Sequence, residues 1–170
     1  MVEILNGDLN HQRDDNFDWI RRYDVIAPYS FQSQIVQALF DWWCSFHPRM
    51  PYRQDFNISE HAQIAAHLYL IKSYENQTFE YRLNGESVIN LIGYSMKGVV
   101  FDKSSPSPSQ RVLAEYCQEV TSSKTCKRCT GEIRIGETQK VAFESLDCPL
   151  LNEKNEVGYT LGVISTIENR

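Results

Sequence analysis

The sequence predicts an α+β fold, a five-stranded antiparallel sheet covered on one face by short helices, with a longer flanking helix ahead of it. Three observations predict it. Phe79, Tyr81 and Leu83 alternate with Glu80, Arg82 and Asn84, the period of a strand with one buried and one wetted face. Glu132 to Gly136, Lys140 to Leu146 and Val157 to Ile167 repeat that alternation late in the chain. Before them, Phe31, Ile35, Val36, Leu39, Phe40, Trp43 and Phe46 recur at steps of three and four, the stripe of an amphipathic helix.

Residues 1–30 read as an N-terminal arm, polar and mixed, with acidic Asp14, Asp15 and Asp18 and the anchors Phe17, Trp19, Ile20 and Tyr23. Such an arm either stays mobile or docks its aromatics on the domain or a neighbour. The domain itself is expected over 31–170, its flanking helix at about 31–46 with Ser30 as N-cap. Trp42 and Trp43 point about 100° apart on that helix, so one indole faces away from the centre of the stripe. Arg49, Arg53 and Asp55 sit in a Pro-punctuated connection, read as a salt-bridged strut in preference to an anion contact. A short helix over 60–66 follows, capped by Ser59.

His67 to Gly85 reads as a hairpin turning at Glu75, Asn76 and Gln77. A short helix over 86–92 covers it, with Gly93 where a helix C-terminus needs a left-handed residue. Pro106 or Pro108 suits the first turn of a helix over about 109–120. Pro149 is expected to end the 140–146 strand, and Asn152 to Asn155 to turn the chain into the last one.

The 170 residues suffice for one core, with 42% hydrophobic and 23% charged residues and a net charge of −5. That balance lacks the basic excess that phosphate-backbone contact needs, so nucleic acid is not an expected partner. No apolar run approaches the ~18 residues of a membrane span, and no secretory signal opens the chain. A cytoplasmic protein is expected, with its five cysteines reduced.

The order of elements is similar to the PAS fold, and particular residues extend the likeness. They are Trp42-Trp43, Pro51-x-Arg53-x-Asp55, the apolar strand His67 to Ile71, Phe79-x-Tyr81-Arg82-Leu83-x-Gly85, Leu91-Ile92-Gly93 and Lys97-Gly98. Together they resemble a bacterial PAS family, common in alphaproteobacteria as small stand-alone proteins, over about Leu39 to Ile167. The short loop after Trp43 and the long arm depart from that pattern. The resemblance implies a sensory or regulatory module, non-catalytic, acting in signal transduction through a small-molecule ligand or a protein partner, as a homodimer or with a signalling protein.

No cofactor is expected. The helix Gly85 to Ile92 lacks the Asn-Cys-Arg motif of flavin photoreceptors, and none of His11, His47, His61 and His67 lies where an axial haem ligand is needed. Cys126-x-x-Cys129 has zinc or thiol-exchange spacing but no second pair of ligands, and the basic Lys124, Lys127 and Arg128 beside it would lower a thiol pKa. Glu60, His61, His67, Arg53 and Asp55 form the densest ionisable group, without a one-faced histidine pair or a nucleophile elbow.

What remains is a ligand pocket between the inner sheet face and the helices, with Phe79, Tyr81, Leu83, Ile89, Ile92, Ile133, Phe143 and Val163 as its candidate lining. Most of these also serve as plain core. Tyr81 stands apart, because a buried phenol needs a hydrogen-bond partner that a ligand could supply. Phe40, Trp42 and Trp43 are the interface candidates. An interaction adaptor with a filled core is the competing class, and a cavity below about 100 Å³ would favour it. A small acid/base enzyme is the third class, and it requires convergent polar groups inside the cavity.

Overall fold

The computed structural model describes residues 3–5, as backbone, and 13–168. The elements are β1 (Glu3–Leu5), β2 (Phe17–Val25), α1 (Gln34–Cys44), β3 (Leu68–Ser73), β4 (Phe79–Asn84), α2 (Glu86–Ile92), β5 (Val100–Phe101), α3 (Pro108–Ser123), β6 (Cys126–Ile135), β7 (Gln139–Leu151) and β8 (Val157–Ile167), with three 3-10 turns between α1 and β3. The strands form one antiparallel sheet in the order β1-β2-β6-β7-β8-β3-β4-β5. Its centre is the five strands expected from the sequence. Three more extend its edges, and β2, from within residues 1–30, pairs along β6 through Arg22↔Cys129 and Val25↔Cys126.

Both faces of the sheet are covered. α2 and α3 lie over one face, where Val88, Tyr116 and Val120 cluster with Ile133, Phe143 and Ile164 of the sheet. α1 covers the other, against Leu68, Leu146, Cys148, Leu150 and Val163. This double cover explains why β7 is buried without a break from Ala142 to Leu150, where one-sided cover would leave alternate residues wet. Glu144, inside that run, is fully buried and is paired by Arg128 at 2.7 Å.

Several boundaries differ from expectation for identifiable reasons. Ser33, not Ser30, caps α1 by accepting from Val36 N–H, because Ser33 N–H is itself anchored on Glu144 at 2.7 Å. The helix expected over 60–66 is instead the 3-10 turns Ile58–Glu60 and Ala65–His67, with Asn57 rather than Ser59 as cap of the first. β7 continues through Pro149. Its pairing with β6 stops at Asp147, so the strand is an edge on that side and tolerates a missing N–H. Gly93 closes α2 at φ 99° as expected, and Pro108 opens α3 behind the Ser107 cap. No described helix is long and apolar enough to cross a membrane.

The hairpin carries one irregularity that matters for the site. Leu70 pairs with Leu83 but Ile71 pairs with Tyr81, so Arg82 is an extra residue on β4. A bulge of this kind inverts the alternation beyond it. Phe79 and Tyr81 therefore face α3, while Leu83 turns to the α1 side.

Candidate functional site

A cavity of about 160 Å³ lies between the sheet and helices α2 and α3, walled also by β2 and the segment just before it. That segment is tied down by Asp14, which accepts from Ser109 N–H at 3.0 Å and from Ser107 Oγ at 2.9 Å at the start of α3. These bonds, with Ser109 foremost, hold the Asp14 carboxyl down to about 2. Most of the wall is apolar, including Ile20, Ile71, Val88, Ile92, Leu113 and Phe143.

The polar part of the wall is concentrated on the sheet. Asp147 on β7 is 3% exposed. Its Oδ1 accepts from the Tyr69 hydroxyl at 2.7 Å and its Oδ2 from the Tyr116 hydroxyl at 2.6 Å. Burial raises its pKa to about 6 against the two hydroxyls and Arg22, which pull it down. Burial likewise pushes the Tyr69, Tyr116 and Cys129 pKa values upward. Tyr116 also accepts from Cys129 Sγ at 3.3 Å, and the Arg22 guanidinium stands over the Tyr116 ring at 4.2 Å.

The backbone register brings these groups together. Arg22 pairs with Cys129 and Cys129 with Ser145, one row across three strands. Tyr69 and Asp147 each pair with Gly162, which lies between them on β8. Gly162 has to be glycine: a Cβ there would stand 2.0 Å from the Tyr69 ring, which crosses β8 to reach Asp147.

Of the predicted lining residues, Tyr81, Ile92 and Phe143 line this cavity. Phe79 and Ile133 lie on the same face, packed in the core beside it. Ile89 is half-buried on α2 and does not reach the wall. Leu83 and Val163 belong to the α1 face, Leu83 because of the bulge and Val163 by the ordinary alternation of β8 against Ile164. Among the described residues no hydrogen bond reaches the Tyr81 hydroxyl.

Phe40 is 3% exposed in the α1-face core, edge-on to Phe31. Trp42 packs on Phe46, Phe56 and His61, and Trp43 Nε1 donates to Pro149 O at 2.9 Å. The two indoles thus occupy opposite edges of the stripe, each with contacts inside the chain.

The other sequence candidates separate in space. Cys126 and Cys129 lie within β6 rather than in a loop, and their odd spacing sends them to opposite faces. Burial raises both thiols, the reverse of what the neighbouring basic residues suggest, because Lys127 and Arg128 are paired with Asp24 and Glu144. Among the described residues no group of three or more His, Cys, Asp or Glu is placed to hold a metal ion. Arg49 pairs with Asp55 at 2.9 Å as a strut, His61 stacks on Phe56, and His67 Nδ1 meets Ile164 O. His11 lies outside the described residues.

Sequence reasoning missed Arg22, Tyr69, Tyr116, Ser145 and Asp147. One signal was available: Gly162 inside an apolar strand marks a close approach of another group.

A family model described as a PAS domain matches residues 31–165. The chain belongs to this PAS domain family. Similar solved structures include a light-oxygen-voltage domain studied with a flavin analogue, at 10% identity over 68% of this chain and 88% of that one, TM-score 0.46. An RNA-binding light-oxygen-voltage receptor is similar at 12% identity over 89% of this chain and 39% of that one, TM-score 0.45. The PAS domain of a protein from Colwellia psychrerythraea is similar at 17% identity over 67% of this chain and 100% of that one, TM-score 0.36. At those scores the family match alone carries the assignment. A search among curated proteins finds no match. PAS domains are sensory and regulatory modules, which sets the class of function. β2, which supplies Arg22, lies outside the matched residues.

Proposed function

We propose that this PAS protein is a cytoplasmic bacterial sensor without catalytic activity of its own, in which a small molecule held in the α2/α3 cavity biases contacts with a partner subunit or signalling protein. The observation that carries this reading is the cavity itself. At about 160 Å³ it exceeds the ~150 Å³ that suffices for benzene in an apolar site, yet falls short of the ~300 Å³ at which drug-sized ligand pockets begin. A compact metabolite fits that space better than a flavin or a haem.

A route from the cavity to the flanking helix supports the signalling half of the proposal. β7 presents Ser145 and Asp147 to the cavity and Glu144 to the opposite face, where its carboxylate accepts from Ser33 and Gln32 N–H at the start of α1. Movement of β7 on ligand binding is therefore felt at the α1 N-terminus. α1 would pass it to the partner.

Native mass spectrometry of freshly purified protein, followed by denaturation and identification of what is released, tests the reading. A small molecule at about one per chain is expected. A protein that carries nothing, and whose Tm no small-molecule fraction of a lysate raises, overturns it and favours the filled-core adaptor.

A second reading rests on a specific observation. The convergent Asp147, Tyr69, Tyr116 and Cys129 are the polar cluster that a small acid/base enzyme needs, with Asp147 poised near neutrality. Incubation of the released molecule with the protein separates the two. Recovery unchanged supports the sensor, and conversion abolished by Asp147→Asn supports the enzyme.

A further inference from the structure

Arg22 is 6% exposed, and its Nε has no hydrogen-bond partner. No ion pair among the described residues includes it. A buried charge ordinarily comes with a partner, and the other buried arginine, Arg128, follows that rule through Glu144. Asp147 is near enough for the Arg22 charge to lower its pKa, but no hydrogen bond or ion pair joins the two, and its oxygens accept from the Tyr69 and Tyr116 hydroxyls. The stack on Tyr116 engages the face of the guanidinium and leaves its in-plane N–H donors unspent. Arg22 lines the cavity.

We infer that the cavity takes a small monocarboxylic acid with a compact apolar body, its carboxylate on the Arg22 guanidinium and its body against Ile20, Val88, Leu113 and Phe143. The inference rests on the sensor reading and narrows it to a ligand class. One unpaired guanidinium neutralises one charge, and the other cation lining the cavity, Arg13, is already paired with Asp15, which leaves none for a phosphate or a dicarboxylate. The volume suits a six-membered ring, as in the benzene-sized cavity noted above. The Tyr81 hydroxyl offers a second donor for a further oxygen on the ligand. Because Arg22 comes from β2, the specificity belongs to the strand outside the family match.

Benzoate, benzamide and benzene are the probes. They share a ring and differ in charge and polarity. Calorimetry on the full chain at about pH 5, a unit below the Asp147 value of about 6 so that its carboxyl is mostly neutral, should show one benzoate per chain. Benzamide should bind about tenfold to a hundredfold more weakly, the worth of a charged hydrogen bond. Arg22→Gln should erase that difference while leaving benzamide and benzene unchanged, and in the unaltered protein benzoate should shift the Arg22 Nε–H resonance. Benzamide binding as tightly as benzoate overturns the carboxylate assignment and leaves the cavity as a ligand site. Binding of none of the three, benzene included, overturns both. If Arg22→Gln does not fold, the benzoate and benzamide comparison in the unaltered protein still decides.

Discussion

A methyl group added at Gly162 should dislodge Tyr69 from Asp147. A Cβ there would lie 2.0 Å from Tyr69 Cε2, 2.1 Å from Cζ and 2.5 Å from the hydroxyl oxygen, so the ring has to leave its path across β8. The cost has two parts. Losing the Tyr69–Asp147 hydrogen bond, 2.7 Å long and made to a carboxylate, removes about 1.5–3 kcal/mol, and overpacking adds about 1–3 kcal/mol. Urea denaturation at neutral pH should therefore find Gly162→Ala destabilised by about 2.5–6 kcal/mol. In a Tyr69→Ala background there is no ring to displace. The same substitution should then stabilise by about 0.5–1 kcal/mol, the usual advantage of alanine over glycine inside a strand. An equal cost in both backgrounds would refute the reasoning.

Three further outcomes are expected. Asp147 takes up its proton at about 6 in the folded chain against an ordinary 3.8, so the folded state binds the proton more tightly. Stability should fall by about 3 kcal/mol as pH rises from about 4 to about 6. The tyrosines and thiols facing Asp147 are pushed upward by burial and do not titrate in that window, and Asp147→Asn should flatten this part of a pH-dependent denaturation profile. Glu144→Gln leaves Arg128 buried without its carboxylate and should cost about 3–5 kcal/mol, with hydrogen exchange rising first at the Ser33 and Gln32 amides. Gly85→Ala would put a Cβ 2.3 Å from the Ala66 carbonyl oxygen. Backbone cannot swing aside as a side chain can, so the soluble yield should drop.

Much of the fold was legible because period and punctuation are local. The β3–β4 hairpin, α2 with Gly93 and the three late strands each follow from alternation or a cap read over a few residues. The cavity's polar wall was not, because it is assembled by register. Arg22, Cys129 and Ser145 become neighbours only when three strands align. Asp147 stayed hidden for a local reason: Pro149 reads as the end of a strand, and only the early end of β6 lets β7 run on past it. Leu83 illustrates the limit of alternation, since one extra residue at Arg82 turned it to the opposite face.

The place of β2 between β1 and β6 bears on how the chain can be cut. A truncation starting at residue 31, where the family match begins, would strip the partner from β6 and leave Cys126–Ile135 as a long unpaired edge. Such an edge recruits other chains. The shortened protein should self-associate through β6, and its cavity would lose a wall together with Arg22. A binding assay on the trimmed domain would then report an absence created by the trimming.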